Sequence, residues 1–251
     1  MASSLNDFLD DELSSERVAE VVESQALDPT VLVEKYLFDG RVFLRRNAAS
    51  ALAQMGALTV DNLHWVVVAS KDGDPLVREH VTAALPTVGL EPAQAFEALA
   101  NRLSDRESAV VQAAEAGLEQ LIQIDANALA PLLVAHLTDL RPKLGVTCQE
   151  LLLRIAGPAA PLLVSACIDG DLGLATAARA TLERLGTSAQ GALIEALPTR
   201  IGRFRLVALL DLLPAAVGAE RTALEGHAAN EIDLDLVRAA QRLLDKPPPE
   251  P

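Results

Sequence analysis

The chain has 251 residues, of which 50% are hydrophobic and 3% aromatic, and its formal net charge is −14. This apolar content excludes a disordered chain, and the acidic charge argues against nucleic-acid binding, which depends on Lys and Arg contacts to phosphate. The same charge repels anionic membrane surfaces, and no apolar run reaches the ~18 residues needed to span a bilayer.

The N-terminal end is the most acidic part of the chain. Residues 1–40 contain ten acidic side chains against Arg17 and Lys35, so this segment has a charge of −8 and the remainder has −6. The valine pattern after Ser14 predicts a short amphipathic helix, and Asp7–Glu12 favours a second one before it. We expect these helices to form a polar cap at the start of the fold.

One sequence block recurs along the rest of the chain. A hydrophobic residue, often followed by Arg, is followed by a small residue four positions later and by Leu four positions after that. Clear copies begin at Leu44, Val77 and Val110, and looser copies begin at Leu144, Leu174, Phe204 and Val237. The starts are 33, 33, 34, 30, 30 and 33 residues apart. A period of 20–50 residues indicates a solenoid, in which each unit buries its apolar face against its neighbours.

Each repeat is predicted to form two helices joined by a turn. In the first unit, helices over residues 30–38 and 42–55 flank a turn at Asp39-Gly40. In the second unit, a helix over 60–70 precedes a turn, and a new helix begins at Asp74-Pro75. This start is predicted because Asp accepts from a free N–H and Pro suits the first helical position.

Later units follow the same plan. Their predicted starts are Glu91, Asp125, Pro158, Ser188 and Ala219, and the turn of unit six is expected at Pro198–Gly202. Gly89, Gly157 and Gly186 are expected to end the second helices of units two, four and five. Residues 246–251 form a Pro-rich tail that cannot continue a helix and is expected to be disordered.

The turn Asp, the Val-Arg or Leu-Arg pair and the Ala-x-x-x-Leu spacing resemble the HEAT repeat family over residues 28–245. The resemblance implies an all-α, right-handed α-solenoid of about seven helix pairs, preceded by a cap over residues 1–27. It also implies that each repeat Arg bonds an acidic turn residue of the neighbouring unit. Units three to five have Val111, Gly145 and Ala175 at this position, so the ladder is expected to be broken there. The alternative is the armadillo repeat, whose units are longer at ~40 residues.

The chain lacks the signatures of HEAT-like enzymes. Deoxyhypusine hydroxylases resemble this architecture but hold iron through His-Glu pairs, and no His precedes a Glu here. HEAT-like DNA glycosylases need a basic face with several Trp, whereas this chain is acidic and has one Trp. Bilin lyases of the HEAT type have no sharp local motif and remain open. No catalytic residue, cofactor or metal site is predicted, and Cys148 and Cys167 are expected to be reduced and buried.

The second helices are expected to line the concave surface, where polar positions form a mixed-charge groove for a peptide or a helix. The predicted partner-binding residues are Arg46, Asn47, Ser50, Glu79, His80, Gln112, Glu115, Gln149, Arg179 and Glu183, with a separate basic cluster of Arg200, Arg203 and Arg205. The aromatic residues Tyr36, Phe38 and Phe43 are expected to fill the start of the stack.

These observations predict a non-enzymatic scaffold or adaptor that binds another protein or a peptide along the concave face. The alternative is an enzyme accessory such as a HEAT-type bilin-lyase-like protein. No nucleic acid or membrane is expected as a partner, and a monomer or hetero-complex is favoured over a homo-oligomer. A cytoplasmic location is predicted because the first residues lack the basic and apolar regions of a signal peptide.

Overall fold

A computed structural model describes residues 8–24, 28–55, 64–141, 143–196, 210, 218–230 and 234–247. Every regular element in these ranges is a helix, and no strand occurs among them. This confirms the predicted all-α class. No helix in the described ranges is long and apolar enough to cross a membrane.

The chain divides into two compact units, Met1–Asp125 and Ala126–Pro251. The helices of the first unit are α1 (Ser15–Glu23), α2 (Pro29–Val31), a π-helical turn (Leu32–Tyr36), α3 (Val42–Met55), α4 (His64–Ala69), α5 (Pro75–Ala84) and α6 (Pro92–Arg102). Helix α7 (Ser108–Ala135) is interrupted at Asp125, whose φ of −153° and ψ of 86° are not helical. The predicted start of a repeat near Asp125 therefore coincides with a real break in the helix.

After the break, the described residues of the second unit form six further helices and a short 3-10 turn. These elements are α8 (Leu144–Arg154), α9 (Ala156–Asp169), α10 (Leu172–Leu185), a 3-10 turn (Gly186–Ala189), α11 (Gln190–Ala196), α12 (Gly218–Asn230) and α13 (Leu234–Leu244). Helix α9 packs against α10, and α12 packs against α13. The turn predicted at Pro198–Gly202 lies outside the described residues.

Local capping explains several of these helix starts. The Ser14 hydroxyl accepts from the N–H of Arg17 at the start of α1, and Val18 and Val21 on this helix are buried. Asp74 accepts from the N–H groups of Leu76 and Val77, and Pro75 holds the first position of α5. Both starts were predicted from the same residues, because caps depend only on near neighbours in sequence.

Two predicted helix ends are wrong, and one is confirmed. Helix α5 ends at Ala84 rather than beside Gly89, because Pro86 has no N–H to donate to the preceding turn. Gly89 does adopt a left-handed φ of 79°, but in the loop that follows. Gly157 lies inside α9, which begins directly after Ile155. Gly186 ends α10 with φ 55°, as predicted.

Two arginines of the repeat join successive turns of the first unit. Arg45 Nε donates to Asp72 Oδ2 at 2.9 Å, and its Nη1 donates to the carbonyl of Asp39 at 3.0 Å. Arg78 repeats the arrangement one unit later, with Nε at 2.9 Å from Asp105 Oδ2 and Nη1 at 3.0 Å from the carbonyl of Asp72. These bonds confirm the Arg ladder that the HEAT resemblance implied for units one and two.

Candidate functional site

A pocket of about 570 Å³ lies between α4 and α6 in the first unit. Its apolar lining includes Val67 and Val68 on α4, Ala98 on α6 and Leu90 in the loop before α6. Ligand pockets typically measure about 300–1,000 Å³ and have mostly apolar walls. The pocket therefore has the size and lining of a site for a small organic molecule.

Charged side chains border the apolar part of the pocket. Lys71 follows α4, while Glu97 and Arg102 lie on the last turns of α6. Lys71 and Glu97 are exposed, whereas Arg102 is half-buried. This border carries two cationic groups against one carboxylate, so its local charge is opposite in sign to that of the whole chain.

Arg102 is held in place through one end of its guanidinium. Its Nη1 donates to the carbonyl of Ser70 at 2.9 Å and lies 3.6 Å from Asp105 Oδ2. Its Nε is buried and has no hydrogen-bond partner among the described residues. Burial lowers the pKa of Arg102, Asp105 opposes this change, and the charge of Arg78 adds to it. The positive charge of Arg102 is thus only partly balanced by negatively charged groups of the protein.

A second groove, of about 350 Å³, adjoins this charged border and shares Lys71, Asn101 and Arg102 with the pocket. Its two aspartates, Asp72 and Asp105, are already paired with Arg45 and Arg78 at 2.9 Å. The groove therefore continues the positively charged border of the pocket. Neither of its two aspartates pairs with Arg102 alone.

Exposed aromatic rings stand beside the pocket. Trp65 packs edge-on against Phe38 with ring centroids 5.4 Å apart, and His64, which lines the pocket, lies 4.6 Å from Trp65. Phe38 is 42% exposed and Trp65 is 41% exposed. The prediction that Phe38 fills the stack is therefore wrong, because its ring packs on a surface tryptophan.

The other two aromatics of the predicted cluster have separate surroundings. Tyr36 lies 6.0 Å from the ring of Phe8, which is fully buried. Phe43 carries the guanidinium of Arg41 over its ring at 5.6 Å. The three aromatics are therefore close in sequence but do not form one cluster.

The predicted partner-binding residues of the first repeat contact other parts of the chain. Arg46 makes paired bonds to Asp74 at 3.0 and 2.7 Å and a third bond to Glu12 at 2.7 Å. Asn47 is 1% exposed and Ser50 is buried. These side chains lie under the N-terminal segment, and a role in partner binding remains a prediction.

The remaining predicted residues are dispersed. Glu79 and His80 are half-buried on α5, Gln112 and Glu115 lie on α7, Gln149 donates to Thr181 at 3.2 Å, and Arg179 pairs with Glu183 at 3.3 Å. Burial lowers the pKa of His80, and the charge of Glu79 opposes this shift. Arg200, Arg203 and Arg205 lie outside the described residues.

Sequence reasoning missed the pocket because it examined the second helix of each repeat. Helices α4 and α6 are first helices of their units. One signal was present in the sequence: residues 64–69 read His-Trp-Val-Val-Val-Ala, with apolar residues on all sides of a short helix. Such a helix is expected to be wholly buried, yet Val68 is 45% exposed. The exposed apolar surface of α4 marks the site.

The described ranges contain no apparent metal-binding cluster. Among these residues, no group of three His, Cys, Asp or Glu side chains is placed to hold a metal ion. Cys148 and Cys167 are both buried, as predicted, and the Cys167 thiol donates to the carbonyl of Ala175 at 3.7 Å.

Comparison with known proteins identified similar structures only. No protein-family profile and no curated protein matches the chain. Human deoxyhypusine hydroxylase in complex with glycerol is similar over 92% of this chain and 96% of its own, at 18% identity and a TM-score of 0.31. An engineered protein is similar over 93% of this chain and 84% of its own, at 18% identity and a TM-score of 0.23. The all-helical architecture is consistent with a HEAT-like repeat fold.

These findings correct the predicted function. The prediction of a non-enzymatic scaffold or adaptor, and of a chain that is not an enzyme, is contradicted because deoxyhypusine hydroxylase is an enzyme. The prediction failed because a repeat pattern and an acidic composition describe an architecture, and one architecture carries many activities. The chain contains no His-Glu step, so its residues do not fit the iron-binding pattern expected of such hydroxylases.

Proposed function

We propose that this protein binds a small amphipathic molecule in the pocket between α4 and α6. The observation that carries the proposal is an apolar chamber of about 570 Å³ with a cationic border at the ends of two helices. The apolar body of the molecule contacts Val67, Val68 and Ala98, and its polar group lies beside Lys71 and Arg102.

Exposed apolar surface next to the chamber supports this proposal. Val68 is 45% exposed, and the ring of Trp65, which packs on Phe38, lies 4.6 Å from the pocket residue His64. Contiguous exposed apolar surface with a polar rim is typical of ligand-binding grooves. Removing such surface from water contributes about 25 cal/mol per Å², so an apolar ligand that covers these side chains gains binding energy.

A direct test uses Trp65, the one tryptophan of the chain, as a fluorescent reporter of binding. We expect 1-decanol to change the Trp65 emission with a saturable titration curve. Val68→Glu places a charge on the apolar wall, and burying it without a partner costs about 1–3 kcal/mol, or roughly tenfold in affinity. Because Val68 is largely exposed, this variant is expected to fold.

The matched control is Val146→Glu, which changes a valine that is 63% exposed on α8 and does not line the pocket. We expect it to bind decanol as wild type does. Equal binding by wild type and Val68→Glu, or no saturable response in wild type, would show that the pocket is not a ligand site.

We propose in addition that the helices form a right-handed α-solenoid of about seven HEAT-like pairs. The sequence period and the two Arg–Asp bonds between successive turns support this arrangement. The division into a cap over 1–27, an array over 28–245 and a tail over 246–251 remains a prediction. So do the cytoplasmic location, the absence of nucleic-acid and membrane partners, and the monomeric or hetero-complexed state.

A further inference from the structure

Arginines in the first unit use their guanidinium groups in one consistent way. Arg45, Arg46 and Arg78 each present the Nε–Nη2 edge to both oxygens of an aspartate, at distances between 2.7 and 3.2 Å. In Arg45 and Arg78, Nη1 donates to a backbone carbonyl of a turn. Two parallel N–H groups of this edge match the two oxygens of a carboxylate.

Arg102 repeats half of this arrangement. Its Nη1 donates to the backbone carbonyl of Ser70 at 2.9 Å, as the Nη1 groups of Arg45 and Arg78 do to their turn carbonyls. Its Nε, however, is buried and has no acceptor in the described part of the chain. A buried donor without an acceptor is unfavourable, and a buried cation is more so unless an anion compensates it.

The protein's own carboxylates do not fill this role. Asp105, the nearest one, gives both of its oxygens to Arg78 at 2.9 Å and lies 3.6 Å from Arg102 Nη1. Asp72 is bound in the same way by Arg45. Two arginines thus share Asp105, and the geometry favours Arg78.

We infer that the pocket between α4 and α6 selects amphipathic molecules with a carboxylate head group, which is attracted by the positive charge of the Arg102 guanidinium at the pocket wall. This inference rests on the proposed function, because it assigns a head group to the molecule that the pocket binds. Lys71 on the same border adds a second positive charge. The apolar body extends from Arg102 along Ala98 and Val68.

A carboxylate is favoured over a phosphate because of its lower charge. Glu97 lines the pocket, and its negative charge opposes a doubly charged head group more than a singly charged one.

The first experiment compares decanoate, 1-decanol and decyl phosphate on wild type by Trp65 fluorescence at pH 7.5. We expect decanoate to bind at least about tenfold more tightly than decanol, because a charge-assisted interaction with Arg102 contributes. Equal affinities for decanoate and decanol would overturn the head-group assignment and leave the pocket as a ligand site. Binding of neither would overturn the proposed function as well. Tighter binding of decyl phosphate than of decanoate would overturn the choice of carboxylate.

The second experiment changes the arginine. Arg102→Gln is expected to weaken decanoate binding by about tenfold or more and decanol binding much less, because the guanidinium interacts more strongly with a charged head group than with a hydroxyl. Arg102→Lys keeps the charge but loses the planar edge, so an intermediate loss is expected. Unchanged decanoate affinity in Arg102→Gln would overturn the inference. Thermal unfolding of both variants is measured in parallel, because Arg102 also bonds Ser70.

A third variant keeps the test decisive if Arg102→Gln does not fold. Glu97→Gln removes the exposed negative charge of the pocket border and is expected to raise decanoate affinity about twofold to fivefold, with a smaller change for the uncharged decanol. Glu150→Gln, an exposed residue of the second unit, is the matched control and is expected to have no effect. Equal decanoate affinities in wild type and Glu97→Gln would count against a negatively charged head group at this border.

Discussion

At the scale of single residues, the Arg–Asp pairs determine how successive turns of the first unit are joined. The side chains of Arg78 and Asp105 are 6% and 7% exposed, whereas those of Arg179 and Glu183 are about half exposed. Burial raises the pKa of Asp105, but the hydrogen bond from Arg78 and nearby positive charges outweigh it and hold the pKa below its usual value. A buried pair of this kind is costly to break because one charge is left without its partner.

We expect Asp105→Asn to lower the free energy of unfolding at pH 7 by about 3–5 kcal/mol, because the buried Arg78 charge loses its counterion. The carboxylate of Asp105 titrates lower in the folded state than its unfolded value of about 3.9. Its stabilisation is therefore complete above about pH 4 and is lost as the pH falls through the folded pKa. The difference between wild type and variant is expected to shrink over this range in urea unfolding experiments.

The control for this prediction is Glu183→Gln, which removes the exposed partner of Arg179 four residues away on the same helix. Such pairs contribute about 0.3–0.5 kcal/mol, so little change is expected. A difference between wild type and Asp105→Asn that stays constant from pH 7 to pH 3 would contradict the role given to the carboxylate.

At the scale of elements, the N-terminal segment is attached to the first repeat by one buried amide. Asn47 Nδ2 donates to the carbonyls of Phe8 and Asp11 at 3.0 and 2.7 Å, and its Oδ1 accepts from the N–H of Leu13 at 3.0 Å. Helix α1 follows and packs against α3. Asn47, predicted to bind a partner, thus satisfies backbone groups of the chain's own first residues.

Asn47→Ala is expected to lower the free energy of unfolding by about 2–4 kcal/mol, since three hydrogen bonds of about 1 kcal/mol each are lost. The loss is expected to be local. Hydrogen exchange of the amides of Val18 and Val21 in α1 is therefore expected to accelerate more than exchange in α3. Gln112→Ala, at an exposed position on α7, serves as the control and is expected to change stability by less than about 0.5 kcal/mol. Unchanged exchange in α1 would show that other contacts hold the segment.

At the scale of the whole molecule, charge is the dominant property. A net charge of −14 places many carboxylates in repulsion, and residues 1–40 carry more than half of this excess. Self-repulsion lowers the stability of a compact state, and salt screens it over distances near the Debye length. Buried pairs such as Arg78–Asp105 are screened much less.

We expect the thermal unfolding midpoint at pH 7 to rise by about 2–4 °C when NaCl increases from 20 to 500 mM, which corresponds to about 1 kcal/mol for a chain of this size. We expect this rise because screening the repulsion between carboxylates stabilises the folded state more than screening the exposed ion pairs destabilises it. The same titration near the pI of about 4.7, where the net charge is close to zero, is the control and is expected to show little change. A midpoint that falls with salt at pH 7 would contradict this account.

Much of the helical pattern was predictable from the sequence, and the errors in the prediction have physical causes. The bounds of α3 and the start of α5 follow from near-neighbour signals, as does the left-handed glycine that ends α10. The end of α5 was misplaced because Pro86 breaks the hydrogen-bond ladder before Gly89 is reached. The partner-binding residues were predicted because they lie on a helix face that was expected to be exposed. Asn47 shows how a neighbouring segment can cover such a face.

The sequence by itself determined that the chain is helical and where several helices begin. Through the HEAT resemblance it also predicted that the repeat Arg of the first units bonds an acidic turn residue of the neighbouring unit. These features depend on residues within a few turns of one another or on a regular period. Only the tertiary structure decided that α4 and α6 line an apolar pocket, and that Asp105 accepts from Arg78 at 2.9 Å while Arg102 lies 3.6 Å away. Both outcomes depend on distances between residues of different elements, which the packing of the helices sets.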